Sequence, residues 1–399
     1  MKNLLMAASA MALVAGAAAA QDAAATGEGT QIGIILGFTG PLESITPNMG
    51  ASAELAIAEV NAAGTFVGGP VTSERADSTC IDAAAATAAA EGLLANDADA
   101  IMGADCSGVT GAVLTNVAVP NGIGMISPSA TSPGLSTTED NDLFFRTAPT
   151  DARQGEILAE VLKEKGVTDV ALTFTNNDYG KGLADSFTAA YTAAGGTVSI
   201  TVPHEDGKAD YSAEVASLAA SGSDVLVVAG YTDQGGRGII QNSLDTGAFD
   251  QFVLPDGMIG QDIVTTLGAG LDNSWGLKPG VEGPNVDAWG KIATDAGFDP
   301  ASVYAPESYD AAALILLAMQ AAGSTASADW TAKVFDVANA PGEPINPGEL
   351  GKALDLLAQG QDIDYVGASA VELVGPGESA GSYAELQFKD GAIETIGYR

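Results

Sequence analysis

Basic residues are scarce in this sequence. Its 399 residues include 15 Lys and Arg against 51 Asp and Glu, which gives a formal net charge of −36. Nucleic acids and anionic membranes are bound through clustered Lys and Arg. The composition therefore argues against both as partners. A charge of this size is typical of proteins from salt-adapted organisms, and it favours solubility without deciding the fold.

Histidine is almost absent as well, since His204 is the only one. A Ser-His-Asp triad or a His-rich metal site therefore has no credible candidates. The sequence also lacks a complete GxGxxG after a strand and any GxxxxGK[ST], which are nucleotide-binding motifs. We expect no metal, no cofactor and no catalytic residue. His204 itself lies in the polar stretch Pro203–Gly207, where we predict a solvated loop residue.

Long apolar runs are confined to the first 20 residues. Lys2, the apolar run Leu4–Ala15 and the small residues Ala18–Ala20 are typical of a secretory signal. We predict that residues 1–20 are cleaved off after Ala20 and that the remaining chain is exported and soluble. The later apolar run Ala311–Ala322 is too short to span a membrane, so no membrane insertion is expected.

Cysteine occurs only twice, at Cys80 and Cys106. Each follows a predicted strand, and adjacent strand ends would bring the two together. An even number of cysteines in an exported chain suggests a disulfide. A disulfide that closes a loop of this length stabilises the folded state by roughly 3–4 kcal/mol in the loop-entropy model. Two free buried thiols are the alternative.

The chain is too long for one ordinary core, and its apolar pattern alternates between strands and helices in two series. Such alternation predicts two doubly wound parallel α/β sheets. Strand-end loops that face each other form a cleft that a hinge can close, which favours a binding protein over an enzyme. The predicted strands are Ile32–Leu36, Val71–Asp77, Ala100–Gly103, Ile123–Ile126 and Leu143–Thr147, then Val170–Phe174, Thr197–Val202, Asp224–Ala229 and Phe252–Leu254, with a terminal hairpin of Tyr383–Phe388 and Ala392–Gly397.

Hydroxyl residues follow two strands of the first series. Ser107 comes after Ala100–Gly103, and Ser129 and Thr131 come after Ile123–Ile126. Ligands of open parallel sheets bind at the carboxyl ends of strands, where free backbone N–H groups favour anions. We predict a carboxylate site there. The alternative is that these residues serve only as helix N-caps.

Aromatic residues make up only 6% of the chain, so their positions are informative. Phe38, Tyr179 and Tyr231 all fall in predicted strand-end loops. They are candidates for flat walls that clamp a small ligand, with the tyrosine hydroxyls bonded to polar partners. Loop packing is the alternative for each.

Six short phrases, in order and spacing, resemble the periplasmic leucine/isoleucine/valine-type binding proteins. These are the type I solute receptors of ABC importers for hydrophobic amino acids and amides. The resemblance runs from about Thr30 to the C-terminus. The phrases are Phe38–Pro41, Cys106–Ser107, Ile126–Pro133, Asp178–Gly182, Ala229–Tyr231 and Tyr309–Ala312.

The resemblance implies two lobes joined by a three-segment hinge, with crossings near Thr147–Asp151, Gly257–Gly260 and Gly381–Tyr383. It also implies a disulfide between the positions that match Cys80 and Cys106. On this basis we expect lobe 1 to comprise residues 28–148 and 260–381, and lobe 2 to comprise residues 149–259 and 382–399.

The resemblance further implies roles in ligand binding. In the family, turns of lobe 1 hold the ligand carboxylate and part of its ammonium, and these turns match Ser107, Thr131 and the backbone of Ser129. The aromatic residue of lobe 2 matches Tyr179, and Tyr231 lies in the matching second loop.

One departure concerns the acid that holds the ammonium in the family's amino-acid receptors. Our alignment puts Gln234 at that position, and a buried ammonium without a counter-charge is costly. Asp233 is adjacent and Asp256 ends the next strand; we favour Asp256. Asp105 and Glu43 are also unexpected: they either indicate a polar or cationic ligand side chain or merely reflect the acidic composition.

The expected function is a periplasmic receptor that captures an amino acid, or a related small carboxylate, by hinge closure and delivers it to an ABC importer. A receptor for an amide, urea or aromatic acid is the alternative, since such a ligand needs no counter-charge at Gln234. From other classes, an exported hydrolase with paired carboxylates and a ligand sensor with a signalling partner are alternatives.

Overall fold

The computed structural model describes residues 29–399, and the predicted signal segment 1–20 lies outside the described residues. The described chain alternates strands with helices over most of its length. Its strands are β1 Thr30–Leu36, β2 Val71–Asp77, β3 Ala100–Gly103, β4 Met125–Ser127, β5 Phe144–Pro149, β6 Asp169–Thr175, β7 Thr197–His204, β8 Val225–Ala229, β9 Gln251–Leu254, β10 Trp275–Pro279, β11 Glu343–Ile345, β12 Ile363–Tyr365, β13 Leu373–Val374, β14 Glu378–Ser379, β15 Tyr383–Lys389 and β16 Ala392–Tyr398.

The helices lie mostly between parallel strands. A π-helical segment, Leu114–Ala118, joins two of them into one continuous helix. The α-helices are α1 Thr46–Ala63, α2 Ala83–Ala95, α3 Ser107–Val113, α4 Val119–Asn121, α5 Asp151–Glu164, α6 Asp178–Ala193, α7 Ser212–Ala219, α8 Gly235–Thr246, α9 Gln261–Leu267, α10 Pro284–Ala296, α11 Ala305–Ala322, α12 Ser327–Trp330, α13 Val334–Ala338 and α14 Leu350–Ala358.

Two seven-stranded sheets organise the molecule, which confirms the predicted α/β class. The first has the order β13-β14-β5-β4-β3-β1-β2 and the second has the order β16-β15-β10-β9-β8-β6-β7. The strands in the centre of each sheet are parallel. One edge of each sheet is antiparallel: β13 pairs with β14 in the first sheet, and β15 pairs with both β10 and β16 in the second. We call the first sheet with its helices lobe 1 and the second with its helices lobe 2.

Local sequence explains where the elements begin and end. All four residues of β3 are buried, as expected for a central strand covered by helices on both faces. The Asp82 side chain caps α2 by accepting hydrogen bonds from the N–H groups of Ala84 and Ala85. Gly64 ends α1 with a φ of 69°, a conformation that glycine adopts without a steric penalty.

The chain passes between the lobes three times, and one predicted crossing is wrong. It leaves lobe 1 after β5 and returns to lobe 2 between β14 and β15. We expected lobe 1 to resume at residue 260, but α9 and β10 follow, and β10 pairs with β9 and β15 of lobe 2. The middle crossing therefore comes after Pro279. Short strands that contain Gly and Pro, such as Trp275–Pro279, give only a weak strand signal.

Burial changes the interpretation of His204. His204 ends β7 with 1% exposure, so the prediction of a solvated loop residue is wrong. Its Nδ1 lies 2.8 Å from the Thr173 hydroxyl, and burial lowers the pKa of His204 to about 4. Helix α11 is buried in lobe 1 along almost its whole length.

Among residues 29–399, no single helix is long and apolar enough to cross a membrane. One bent pair of helical segments, Ala305–Ala322 and Ser327–Ala338, meets the criterion for a membrane span, and it does so by length and composition only.

Candidate functional site

The carboxyl ends of strands from both sheets meet around a small cavity between the lobes. Its volume is about 20 Å³, close to the space one water molecule needs. Lobe 1 contributes the residues that follow β1, β3 and β4 together with the residue before α11, and lobe 2 contributes residues that follow β6, β8 and β9. The cavity is lined by Leu42, Asp105, Cys106, Ser107, Ser129, Tyr304, Tyr179, Tyr231 and Gly257.

The hydroxyl turns of lobe 1 are buried and lie side by side. The Ser107 hydroxyl accepts a hydrogen bond from the Ser132 N–H at 3.1 Å, and the Ser129 hydroxyl donates to the Asp105 carbonyl at 3.1 Å. The Thr131 hydroxyl is buried and has no hydrogen-bond partner within residues 29–399. The structure thus brings together the three hydroxyl residues that the sequence singled out.

Two tyrosines of lobe 2 form the opposite wall. The rings of Tyr179 and Tyr231 are stacked, with centroids 5.1 Å apart and an angle of 18° between their planes. The Tyr231 hydroxyl accepts a hydrogen bond from Asn177 Nδ2 at 3.3 Å. Both rings are almost fully buried, so they present a flat aromatic surface to the cavity.

Asp256 lies directly behind this wall, fully buried. Its Oδ1 accepts hydrogen bonds from the Tyr179 hydroxyl at 2.7 Å and from the Gly257 N–H at 2.8 Å. The Tyr304 hydroxyl of lobe 1 donates to Oδ2 of the same carboxylate. Burial raises the pKa of Asp256, and these hydrogen bonds act in the opposite direction. One acceptor position on Oδ2 is left for a further donor.

Asp151 is a second buried carboxyl, at the first residue of α5. Neither of its oxygens has a hydrogen-bond partner in the described chain, and neither does the side chain of Gln154 one turn later. Burial, and then the charge of Asp256, raise the pKa of Asp151 well above its usual value, while Thr131 and Arg146 act to lower it. Sequence analysis missed Asp151, Gln154 and Tyr304.

Asp105 lines the cavity, but its carboxylate is already used. Oδ2 accepts from the Gly37 N–H and Oδ1 from the Ser78 hydroxyl, both at 2.8 Å. These bonds tie the ends of β1 and β2 to the loop after β3. The predicted disulfide is present beside them and joins Cys80 to Cys106, the residue before Ser107.

Asp233 lies outside the cavity and joins the two lobes. Its Oδ2 accepts a hydrogen bond from the Ser44 N–H at 2.9 Å, and its own N–H donates to the Pro41 carbonyl at 3.1 Å. Burial raises the pKa of Asp233, and the bonds from Ser44 act in the opposite direction. Glu43, in the same loop, is exposed.

Two further candidates lie away from the cavity wall. Gln234 is next to Gly207 in lobe 2, where its Oε1 lies 3.6 Å from the position a Cβ of Gly207 would occupy. The Phe38 ring packs under the guanidinium of Arg75, 5.2 Å from its centroid. The acid nearest to the stacked tyrosines is thus Asp256, while Gln234 belongs to another part of lobe 2.

Two α/β lobes that enclose buried, unsatisfied polar groups between their strand ends define a two-lobed ligand-binding protein. A periplasmic binding protein family model matches residues 29–339 of the chain. The chain also shares 31% identity over 328 residues with Leu/Ile/Val-binding protein homolog 3 of Brucella melitensis, covering 79% of this chain and 84% of that protein. This chain therefore belongs to the periplasmic binding protein family.

Solved structures of similar fold span nearly the whole chain. The branched-chain amino acid transporter substrate-binding protein LivJ of Streptococcus pneumoniae, in complex with isoleucine, has a TM-score of 0.72 and 24% identity. The match covers 92% of this chain and 98% of that one. A solute-binding protein of an R. palustris ABC transporter, in complex with benzoate, has a TM-score of 0.75 and 17% identity, with 93% and 96% covered.

Proposed function

We propose that this protein is a periplasmic receptor that captures an aliphatic α-amino acid between its lobes and delivers it to an ABC importer. The observation that carries the proposal is the carboxyl of Asp151, which is fully buried and influenced by the charge of Asp256. Neither of its oxygens makes a hydrogen bond of normal length and angle in the described chain, and the Thr131 hydroxyl is the side-chain donor that acts on it. Burying a charged or polar group without a partner costs several kcal/mol. A ligand ammonium removes that cost because it supplies both a positive charge and three donors.

Ammonium recognition is assigned to Asp256 and Asp151 together. The free acceptor position of Asp256 and the two unpaired oxygens of Asp151 can all receive donors from one cation. The unpaired Thr131 hydroxyl acts on Asp151 and the unpaired Gln154 amide acts on Asp256, so both lie near the two acids. This assignment supplies the counter-charge that Gln234 lacks and for which the sequence offered Asp233 or Asp256.

Carboxylate recognition is assigned to the turns of lobe 1. The Ser107 and Thr131 hydroxyls, with the backbone of Ser129, form charge-assisted hydrogen bonds to the ligand carboxylate, which are stronger than neutral ones. A ligand with an ammonium and a carboxylate on one carbon spans both groups. The two sites together therefore select the α-amino acid class.

The ligand side chain is expected to be apolar. Leu42, Tyr179, Tyr231 and Tyr304 supply apolar surface, and the Asp105 carboxylate is already bonded within lobe 1. Because the Asp105 carboxylate is already bonded, we attribute Asp105 to the acidic composition of the chain and not to recognition of a cationic ligand side chain. Leucine, isoleucine and valine fit this description.

Binding requires the lobes to separate, because a cavity of about 20 Å³ cannot admit an amino acid. The three crossings act as the hinge, and closure brings Tyr179 and Tyr231 over the ligand and excludes water. The closed form is what a membrane permease recognises, and the receptor changes no covalent bond. The proposal also includes export of the chain to the periplasm, with the signal segment 1–20 cleaved off after Ala20.

An aromatic-acid receptor is the second candidate, favoured by the similarity to a benzoate-binding structure. Benzoate satisfies the lobe 1 turns but leaves the two buried acids without a cation. An amino acid satisfies both groups, so we place it first.

A thermal-shift screen of residues 21–399 against leucine, isoleucine, valine, urea and 4-hydroxybenzoate tests the proposal. A ligand that binds only the folded state adds about 2.7 kcal/mol at a hundredfold excess over its dissociation constant. We expect a clear shift with the branched amino acids alone. A shift with 4-hydroxybenzoate or urea, and none with amino acids, would overturn the ammonium site.

A further inference from the structure

Arg146 lies in β5 and is almost fully buried, with 1% of its side chain exposed. Its Nη1 donates to the Ala130 carbonyl at 3.0 Å and to the Ser132 carbonyl at 2.9 Å. The Ala130 carbonyl belongs to the peptide group just before Thr131, and the Ser132 carbonyl belongs to the peptide group between Ser132 and Pro133, so the guanidinium holds the turn at one point before Thr131 and one point after it. The same turn contains Ser129, and the Ser132 N–H in turn bonds the Ser107 hydroxyl.

The other half of the guanidinium binds a different element. Nη2 donates to Glu378 Oε2 and to the Ser136 hydroxyl, both at 2.6 Å. Glu378 belongs to β14, which pairs with β5 at Arg146 and leads into the last crossing between the lobes. One side chain thus joins the turn of lobe 1 to two of the three crossing segments.

The charge of Arg146 is also distinctive in so acidic a chain. Its charge acts to lower the pKa of Asp151, so its field reaches that buried carboxyl. Glu378 offsets part of this charge from the opposite side of the guanidinium, at a position where 20% of its side chain is exposed. The positive charge behind Thr131 therefore faces a neutral turn on one side and a carboxylate on the other.

We propose that Arg146 is the positioning residue for carboxylate recognition, holding the 129–132 turn in its binding geometry and supplying positive potential behind it. The inference rests on the proposed function and deepens it. We expect no contact between Arg146 and the ligand, because its side chain is buried and its Nη1 is bonded to the Ala130 and Ser132 carbonyls. Lysine cannot replace it, since one ammonium lacks the planar fork that bonds acceptors on two sides.

The test compares leucine with leucinol, which keeps the ammonium and side chain but has no carboxylate. Isothermal titration calorimetry gives the ratio of the two dissociation constants for the wild type and for Arg146→Lys. We expect Arg146→Lys to weaken leucine binding at least about tenfold and leucinol binding less than threefold. A merely structural role would weaken both ligands equally, and that result would overturn the proposal.

Arg153→Lys is the matched control, because Arg153 is an exposed arginine whose ion pair is with Glu156 on the same helix. It should leave both dissociation constants unchanged within twofold. A wild type that binds leucinol as tightly as leucine would overturn the carboxylate site itself, and with it the proposed function. The two failures are therefore distinguishable.

Glu378→Gln decides the question if Arg146→Lys does not fold. This substitution keeps an acceptor oxygen for Arg146 and Ser136 but removes the negative charge that offsets the guanidinium. We expect the preference for leucine over leucinol to rise, because the guanidinium charge behind the turn is then no longer offset. An unchanged or lower preference would show that this charge does not act on the ligand carboxylate, and would overturn the proposal.

Discussion

Asp151 and Asp256 differ in how their carboxyls are satisfied, although both are fully buried. Asp256 receives three hydrogen bonds, whereas Asp151 receives none from the described chain. Two such groups cannot both ionise cheaply at short range without a cation. The state of this pair therefore depends on the ligand.

Substituting Asp256 removes the better-positioned acid of the pair. We expect Asp256→Asn to weaken leucine binding by roughly 30- to 1,000-fold, because removing one partner of a buried charge pair costs about 2–4 kcal/mol. Calorimetry measures the change. Asp262→Asn, at an exposed position of α9, is the control and should bind as the wild type does. A loss of less than threefold in Asp256→Asn would place the ammonium elsewhere.

Asp151→Asn is expected to stabilise the unliganded protein while it weakens leucine binding. The folded-state pKa of Asp151 is raised above its unfolded value near 3.9, so the folded form keeps a proton that the unfolded form has lost. Rising pH through that window favours unfolding. The asparagine variant removes this effect and should gain roughly 1–3 kcal/mol at pH 7 and little at pH 4. Urea unfolding at both pH values checks this; an equal difference at each would contradict it.

The position of a residue at the cavity could be predicted where the sequence marked a strand end, and could not be predicted where the contact joins residues far apart in the chain. Ser107, Ser129, Tyr179 and Tyr231 follow strands, so their meeting at the cavity could be anticipated. Asp151 is indistinguishable in sequence from an acid that favours a helix N-terminus. The Tyr304 contact with Asp256 joins residues 48 positions apart and has no local signal. Which acid serves as counter-charge is likewise decided by packing.

At the scale of elements, the loop after β1 and the loop after β8 are joined through Asp233. Its two hydrogen bonds, to the Ser44 N–H and the Pro41 carbonyl, connect lobe 1 to lobe 2 outside the cavity. Such a contact exists only while the lobes are closed. It stabilises closure without touching the ligand.

Asp233→Ala is therefore expected to weaken every ligand by a similar factor, about fivefold, which corresponds to roughly 1 kcal/mol less stabilisation of the closed form. The preference for leucine over leucinol should not change. Small-angle X-ray scattering should show a larger radius of gyration in the variant without ligand. Gln234→Ala, at the adjacent residue beside Gly207, should change neither quantity. A selective loss for amino acids would instead make Asp233 part of the ammonium site.

Element prediction was most accurate for long, strongly patterned segments. The alternating strands and helices of both lobes and the terminal hairpin are confirmed, because their apolar periodicity is determined locally. The stretch from Ser327 to Ala338 is divided into α12, a 3₁₀ segment and α13 and does not form one continuous α-helix. The strand Trp275–Pro279 was missed, since its pairing with β9 and β15 depends on residues far along the chain.

At the scale of the whole molecule, the net charge of −36 contrasts with the cleft of the proposed function, which would bind both charges of a zwitterion. The sequence's lack of basic residues makes the buried Arg146 a local exception behind the carboxylate turn. Acids behind the opposite wall provide the complementary charge. Selectivity for an amino acid therefore depends on a few buried groups, and the surface charge contributes solubility.

A calorimetric comparison of leucine with 4-methylpentanoate tests the central claim most directly. The second compound is leucine without its amino group, so the two differ only in the ammonium assigned to Asp151 and Asp256. We expect leucine to bind at least about a hundredfold more tightly, a difference near 2.7 kcal/mol. Equal affinity, or tighter binding of 4-methylpentanoate or benzoate, would contradict an amino-acid receptor and identify the protein as a receptor for simple carboxylic acids.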